Sequence, residues 1–295
     1  MPMSSPGSGL TAFSESDIEA FEPALKIGLL ATVNASGQPH LTLISSLAAC
    51  SPTQVTWGQF TEWLSKQHVR ANPKTGFLIM SLAKELWRGK ATFTHVAQGG
   101  PEFDRYNQQP MFRYNAYFGI HTVYYMDLVA QTGGAALPMG RIVAAAVQTM
   151  IARAMQKQKP GFCEKPGFSA SPLNSWTRGL FNKLDNLKFL AYVGADGYPV
   201  IIPIIQAQAA DRRHVIFSLG AFGDELAAIP AGATVAVFGL ALSMEDVLLR
   251  GQFQGVRRIT GIPCGVIGVD WVYNPMPPAP GQIFPPVALT PITVL

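Results

Sequence analysis

The chain has little charge. Asp, Glu, Lys and Arg make up 14% of its 295 residues while 48% are hydrophobic, which excludes a self-repelling disordered polymer. So much apolar surface is enough for two cores, and it points to domain pairing or homo-oligomerisation. Lys and Arg outnumber Asp and Glu by 22 to 18, but they are scattered and form no basic run. That argues against nucleic acid as a partner while leaving room for a local phosphate pocket. Cysteine is scarce and odd in number: Cys50, Cys163 and Cys264 stand apart, with no Cys-x-x-Cys and no close Cys/His spacing. A disulfide scaffold and a structural zinc site are both disfavoured, and inert thiols in a reducing, cytoplasmic compartment are expected. The five histidines, His40, His68, His95, His121 and His214, make no metal-spaced pair. A long hydrophobic run is lacking too. The best stretch, Arg141 to Met155, is broken by Gln148 and Arg153 and falls short of the roughly 20 apolar residues of a membrane span. Stable membrane insertion is therefore not expected. A packed connecting helix is the preferred reading, with surface docking through the basic end Arg153, Lys157 and Lys159 as the alternative. Residues 1–13 carry neither the charged nor the apolar region of a signal peptide and read as a disordered leader.

What is present is a repeat. Leu30-Ala31-Thr32-Val33-Asn34-Ala35-Ser36-Gly37-Gln38-Pro39 has the pattern of Leu190-Ala191-Tyr192-Val193-Gly194-Ala195-Asp196-Gly197-Tyr198-Pro199, 160 positions on. Both read as strand, tight glycine turn, strand. Further along, Leu86-Trp87-Arg88-Gly89 is echoed by Leu248-Leu249-Arg250-Gly251 at an offset of 162. Two landmarks in one order and at nearly one spacing imply two copies of one β domain. A solenoid, with three or more repeats of roughly 20–50 residues, does not fit.

The first copy (14–132) opens with Ser14-Glu15-Ser16-Asp17 capping a helix over about Ile18 to Leu25. Strands are expected over Gly28 to Val33, His40 to Leu47, Gln54 to Gly58, Thr75 to Leu82, Arg88 to His95 and His121 to Gln131. A short helix lies between Glu62 and Asn72, ended by Pro73. The second copy (187–274) repeats the strands over Phe189 to Val193, Val200 to Gln208, His214 to Ser218, Thr234 to Leu240, Val247 to Phe253 and Val266 to Tyr273. Between the copies, 133–186 is a helical linker with a Pro/Gly loop, Lys159 to Phe168. The tail, 275–295, is Pro-rich, and Asn274 to Gly281 is expected to form neither strand nor helix. The expected fold is mainly β with helices (α+β): many short strands and one inserted helix indicate small closed or partly open barrels.

The order strand, Gly-Gln-Pro turn, strand, then Val55-Thr56-Trp57-Gly58-Gln59-Phe60, Ser65-Lys66 and Asn72-Pro73, resembles the FMN-binding split barrel of the pyridoxamine 5′-phosphate oxidase-like family. That family's run Ser-[Arg/Lys]-x-x-Asn-[Leu/Ile]-x-x-Asn-Pro sets a hydroxyl and a cation at the FMN phosphate. Here both ends are kept, and Val69-Arg70 stands where the middle is expected. The resemblance covers Leu25 to Gln131 well and Leu187 to Tyr273 more weakly. It implies two tandem split barrels fused as a pseudo-dimer, with FMN at the interface of the barrels.

Residue chemistry agrees at the phosphate end, where a helix N-terminal turn with Ser65 and Lys66 offers amides, a hydroxyl and a cation. The alternative is that the pair is a solvated helix face. For the ring, the resemblance implies the second strand and the one after it, with Thr42, Ile44, Ser45, Ser46, Thr56, Trp57, Gly58, Gln59 and Phe60 along its edge. Trp57 either stacks on the ring or belongs to the core, and the core is preferred. His68 is close enough to assist at the phosphate. Where the first copy has Ser65-Lys66, the second has Ala221-Phe222-Gly223-Asp224-Glu225-Leu226, whose carboxylates would repel a phosphate. The second copy is then a wall of the first copy's pocket, with Trp271, Tyr273 and Arg250 reaching toward it. The loop Tyr106 to Phe118, rich in aromatics and amides, is a candidate lid or an interface patch.

The implied function is an FMN-dependent oxidoreductase acting on a small-molecule substrate. No acid–base pair and no second Arg/His phosphate cluster identifies that substrate. A non-catalytic protein holding flavin, haem or a deazaflavin on the same fold is the alternative.

Overall fold

A computed structural model describes residues 9–59, 64–109, 119–156, 171–276 and 280–288. The chain divides into two compact units. The first comprises the residues up to Pro138 together with Ala191–Ile201; the second comprises Met139–Leu190 and Ile202–Leu295.

The first sheet is built from β1 (Lys26–Val33), β2 (Pro39–Leu43), β3 (Ala48–Ser51), β4 (Gln54–Gln59), β5 (Lys74–Ser81), β6 (Glu85–Ala97) and β7 (Thr122–Gln131), with the short β8 (Ala135–Ala136) on β6. Its strand order is β2-β1-β5-β6-β7-β4-β3. The second sheet is built from β9 (Leu187–Val193), β10 (Pro199–Pro203), β11 (Gln208–Ala209), β12 (His214–Ser218), β13 (Thr234–Leu240), β14 (Asp246–Ile259) and β15 (Ile262–Asn274), with β16 (Gly281–Phe284) on β15. Its order, β10-β9-β13-β14-β15-β12-β11, matches the first strand for strand. The duplication seen in the sequence is a duplication of topology.

That order makes each sheet curl. β2 and β3 are the two outer strands, and seven flat strands would set them about 29 Å apart. The link from Leu43 to Ala48 spans about 17 Å at most. Pro203 to Gln208 imposes the same closure on the second sheet. Because β2 and β3 are not hydrogen-bonded neighbours, the barrel is closed by the link and left split between these strands.

The link also explains a difference from the sequence reading, which ran one strand from His40 to Leu47. The amide of Ile44 donates to Gly28 O and that of Leu47 to Ile44 O, so a turn ends β2 and redirects the chain into β3. Ile204 to Lys188 O and Ala207 to Ile204 O repeat this 160 residues on. Gly37 and Gly197, at φ +75° and +80°, hold the left-handed position that each β-hairpin turn requires.

Six α-helices are described: α1 (Glu15–Phe21), α2 (Leu64–Ala71), α3 (Pro101–Gln108), α4 (Met139–Gln156), α5 (Ser175–Asn182) and α6 (Gly223–Ala227). Ser14 caps α1 through a reciprocal box with Asp17. Asp17 also accepts from Trp87 Nε1 at 2.7 Å, while Phe21 meets Trp87 edge to face, so the helix is pinned by both a polar and an aromatic contact. Helix α5 and strand β16 were not anticipated. Asn174 caps α5 by accepting from the amide of Thr177, and β16 forms because β15 still offers a free edge to the returning tail.

Asp246, buried at the start of β14, has an Oδ1 without a partner among the described residues. Burial pushes its carboxyl up to about 7. The folded chain therefore holds this proton more tightly than the unfolded chain. The stabilisation is complete below the ordinary carboxylate range and is lost as pH rises through about 7. Thermal melts of Asp246→Asn between pH 4 and 8 should show a flatter decline in Tm than the parent.

Candidate functional site

Helix α2 lies against β1 and β2 of the first sheet. Ser65 and Lys66 are 1% and 5% exposed, which excludes the solvated-face alternative for this pair. Ser65 Oγ and Thr42 Oγ1 are 2.5 Å apart, and Thr32 Oγ1 lies 3.1 Å from His68 Nδ1. The His68 ring meets His40 edge to face at 5.1 Å. Lys66 Nζ sits over the Trp57 ring, 5.8 Å from its centroid. Every ionisable residue of α2, namely Lys66, His68 and Arg70, is basic. Ser65 and Lys66 thus stand in the first turn of a helix that carries no carboxylate, on the side of its N-terminal amides, while His68, with Thr32 and His40, stands at its last turn.

The second copy is an internal control. At the same offset of 160, Thr32, His40, Thr42, Ser65, Lys66 and His68 become Tyr192, Val200, Ile202, Glu225, Leu226 and Ala228. Val200, Ile202 and Leu226 are buried and apolar. At these three positions the same topology is satisfied by apolar side chains, so folding alone does not require the polar side chains of His40, Thr42 and Lys66 in the first copy. Sequence reading singled out Ser65, Lys66 and His68 and missed Thr32 and His40 as members; aligning the copies residue by residue is the signal that finds them.

Helix α4 occupies the exit of β12 in the second copy. Thr149 Oγ1 accepts from the Ser218 amide at 2.9 Å, and Ser218 Oγ donates to Ala145 O at 2.9 Å. A Cβ on Gly220 would fall 2.2 Å from that of Ala145. In the first copy Gly58, the counterpart of Ser218, donates its amide to Ser46 Oγ at 2.9 Å, and that hydroxyl donates to Gly58 O at 3.2 Å. Ser46 is thereby engaged with Gly58 in the buried link. Ser46→Ala would strip the buried Gly58 amide of its partner and should cost about 1–3 kcal/mol, read as a lower urea midpoint at unchanged slope.

The other expected ring contacts divide. Ile44 is buried in the first unit's core and Ser45 is half-buried. Trp57 is fully buried and stacked on Tyr124 at 4.0 Å and 12°, the core placement. Its Nε1 finds no acceptor among the described residues. Gln59 ends β4, where its backbone pairs with Thr122. Phe60, residues 110–118 of the Tyr106–Phe118 loop, Cys163 and residues 1–8 of the leader lie outside the described residues; in the described parts of these segments, Tyr106 is buried in the last turn of α3, Leu10 pairs with Gln131 and Phe13 is buried. Trp271, in the second unit, is stacked on Tyr273 at 5.3 Å, carries the Arg250 guanidinium at 4.2 Å and donates from Nε1 to Gln282. Among the described residues no three His, Cys, Asp or Glu side chains come together as a metal site.

No protein-family model matches the chain, and no curated protein does. Solved structures do. An FMN-binding protein from Syntrophomonas wolfei subsp. wolfei is 14% identical, with 40% of this chain and 82% of that one covered and a TM-score of 0.34. An FAD-binding protein from Mesorhizobium loti is 13% identical, with 42% and 97% covered and a TM-score of 0.28. An F420 reductase is 14% identical, with 40% and 98% covered and a TM-score of 0.32.

Proposed function

We propose that the first copy binds FMN with the phosphate at the N-terminal end of α2, and that the protein is an FMN-dependent oxidoreductase of the pyridoxamine 5′-phosphate oxidase-like class. The observation that carries the reading is the buried Ser65–Lys66 pair among Thr42, Trp57 and His68, set against the Glu225–Leu226 pair that stands at its place in the second copy. The donor set fits the group. A phosphate dianion takes an ammonium, hydroxyls and helix amides, and no carboxylate on α2 opposes it. The buried Trp57 Nε1, under Lys66, is a further donor that an acceptor oxygen would satisfy.

On this reading Lys66 holds the phosphate charge and Ser65, braced by Thr42, fixes its orientation. His68 is held in place by Thr32 and His40. The apolar link at Ile44 and the tightly drawn Ser46–Gly58 contact offer the ring a close backbone edge. Bound FMN supplies hydride and one-electron chemistry, while the protein orients it and keeps water away. The substrate is a small molecule, and a cytoplasmic setting agrees with the isolated thiols. An absorption spectrum of the purified, FMN-reconstituted protein tests the reading. The two bands of an oxidised flavin, retained through gel filtration, support it. An intense Soret band, or a colourless protein that takes up no added FMN, overturns it.

A further inference from the structure

Helix α4 packs Ile142, Ala145, Thr149 and Ala152 into the second unit, and no described helix is long and apolar enough to cross a membrane. Its last turn carries Arg153, and α5 carries Arg178. Both arginines are half-buried. Both helices contact β11, where Gln208 is 1% exposed. Gln208 Oε1 accepts from Arg153 Nη1 at 3.5 Å, the long limit of such a bond. This is a weak tether for a guanidinium.

The remaining donors lack acceptors. The Nε atoms of Arg153 and Arg178 are both buried and have no partner among the described residues. Gln156, one turn beyond Arg153 on α4, does not supply one, since its own Oε1 is buried and unpaired. No described carboxylate makes an ion pair with either guanidinium. Burial, and then the Arg178 charge, draw Arg153 below its ordinary pKa. Two like charges therefore act on each other with no anion to offset them, and buried Nε–H groups go unsatisfied, a cost that a bound anion would remove.

We propose that Arg153 and Arg178 form a binding site in the second copy for a phosphate dianion, free or carried by a small molecule. With Nη1 of Arg153 turned to Gln208, its Nε–Nη2 edge is left for two parallel bonds to one ligand, the geometry in which guanidinium grips phosphate oxygens. Two guanidiniums match two negative charges, whereas a carboxylate offsets only one. Sequence reading misses the pair because its members sit on different helices. The site is separate from the α2 residues, so it stands whether or not the flavin reading holds.

Isothermal titration of the full chain with inorganic phosphate at fixed ionic strength tests it. The Lys66→Met background is used, so that the first copy's candidate site has no cation at that position. One equivalent should bind, sulfate should compete, and acetate should bind at least about ten-fold more weakly. Arg153→Met and Arg178→Met each keep an apolar stem and should each raise the Kd at least about ten-fold. If either variant fails to fold by its melting curve, Arg153→Lys and Arg178→Lys carry the test: they keep the charge, lose the fork and should raise the Kd by a smaller factor. Glycerol 3-phosphate is titrated alongside. Tighter binding than inorganic phosphate supports the site as one for a phosphomonoester, and equal binding supports it as one for the free ion. No binding of phosphate, equal affinity for acetate, or a Kd unchanged in the arginine variants overturns the inference.

Discussion

Lys66→Ala should weaken FMN binding by about 1.5–3 kcal/mol, the range for a hydrogen bond to a charged group, which is roughly a ten- to 150-fold rise in Kd. The effect is large because Lys66 is 5% exposed and its ammonium is set over Trp57, where water replaces it poorly and where screening by salt is weak. A truncated lysine also loses the packing of its stem, so charge and packing must be separated. Lys66→Met keeps the stem and removes the charge. It should lose as much affinity as Lys66→Ala while melting closer to the parent. Lys66→Arg keeps a cation and should recover part of the loss. The readout is quenching of flavin fluorescence on titration of apo-protein, which needs no substrate. An unchanged Kd in Lys66→Met would remove Lys66 from the phosphate site.

The repeat and the strand positions were legible because hairpin turns carry strong local signals: Gly37 and Gly197 mark the same turn at one spacing, and the strands that follow alternate around it. The break between β2 and β3 was not legible. It is made by backbone hydrogen bonds of Ile44 and Leu47 and by the Ser46 hydroxyl reaching Gly58, all of which depend on partners brought in by closure of the sheet. For the same reason β16 could not be read from a Pro-rich tail; its pairing is supplied by β15. The site was half legible. Ser65 and Lys66 were visible through a local motif, whereas Thr32 and His40 are contributed from separate strands and meet His68 only in three dimensions. The sequence also suggested a solvated alternative for Ser65 and Lys66, which only their burial decides.

One FMN should bind per chain, although the chain carries two copies of the same sheet. The first argument is chemical. Replacing Lys66, His68 and Thr42 by Leu226, Ala228 and Ile202 leaves the second copy with no cation and no hydroxyl at these positions, and Glu225 takes the place of Ser65. A phosphate brought there would lose its water and gain no charged donor, a cost of several kcal/mol. The second argument is steric. The α4 helix already claims the Ser218 amide and hydroxyl and lies so close to Gly220 that even a methyl group would clash with Ala145. Restoring a lysine alone, in Leu226→Lys, should therefore not create a second site; it would bury a charge in a closed wall and lower the melting temperature. Isothermal titration of apo-protein with FMN checks both statements: the endpoint should lie at one equivalent per chain in the parent and remain there in Leu226→Lys. An endpoint near two in the parent would mean that α4 moves aside on binding and that the second copy recognises the cofactor through groups other than those on α2.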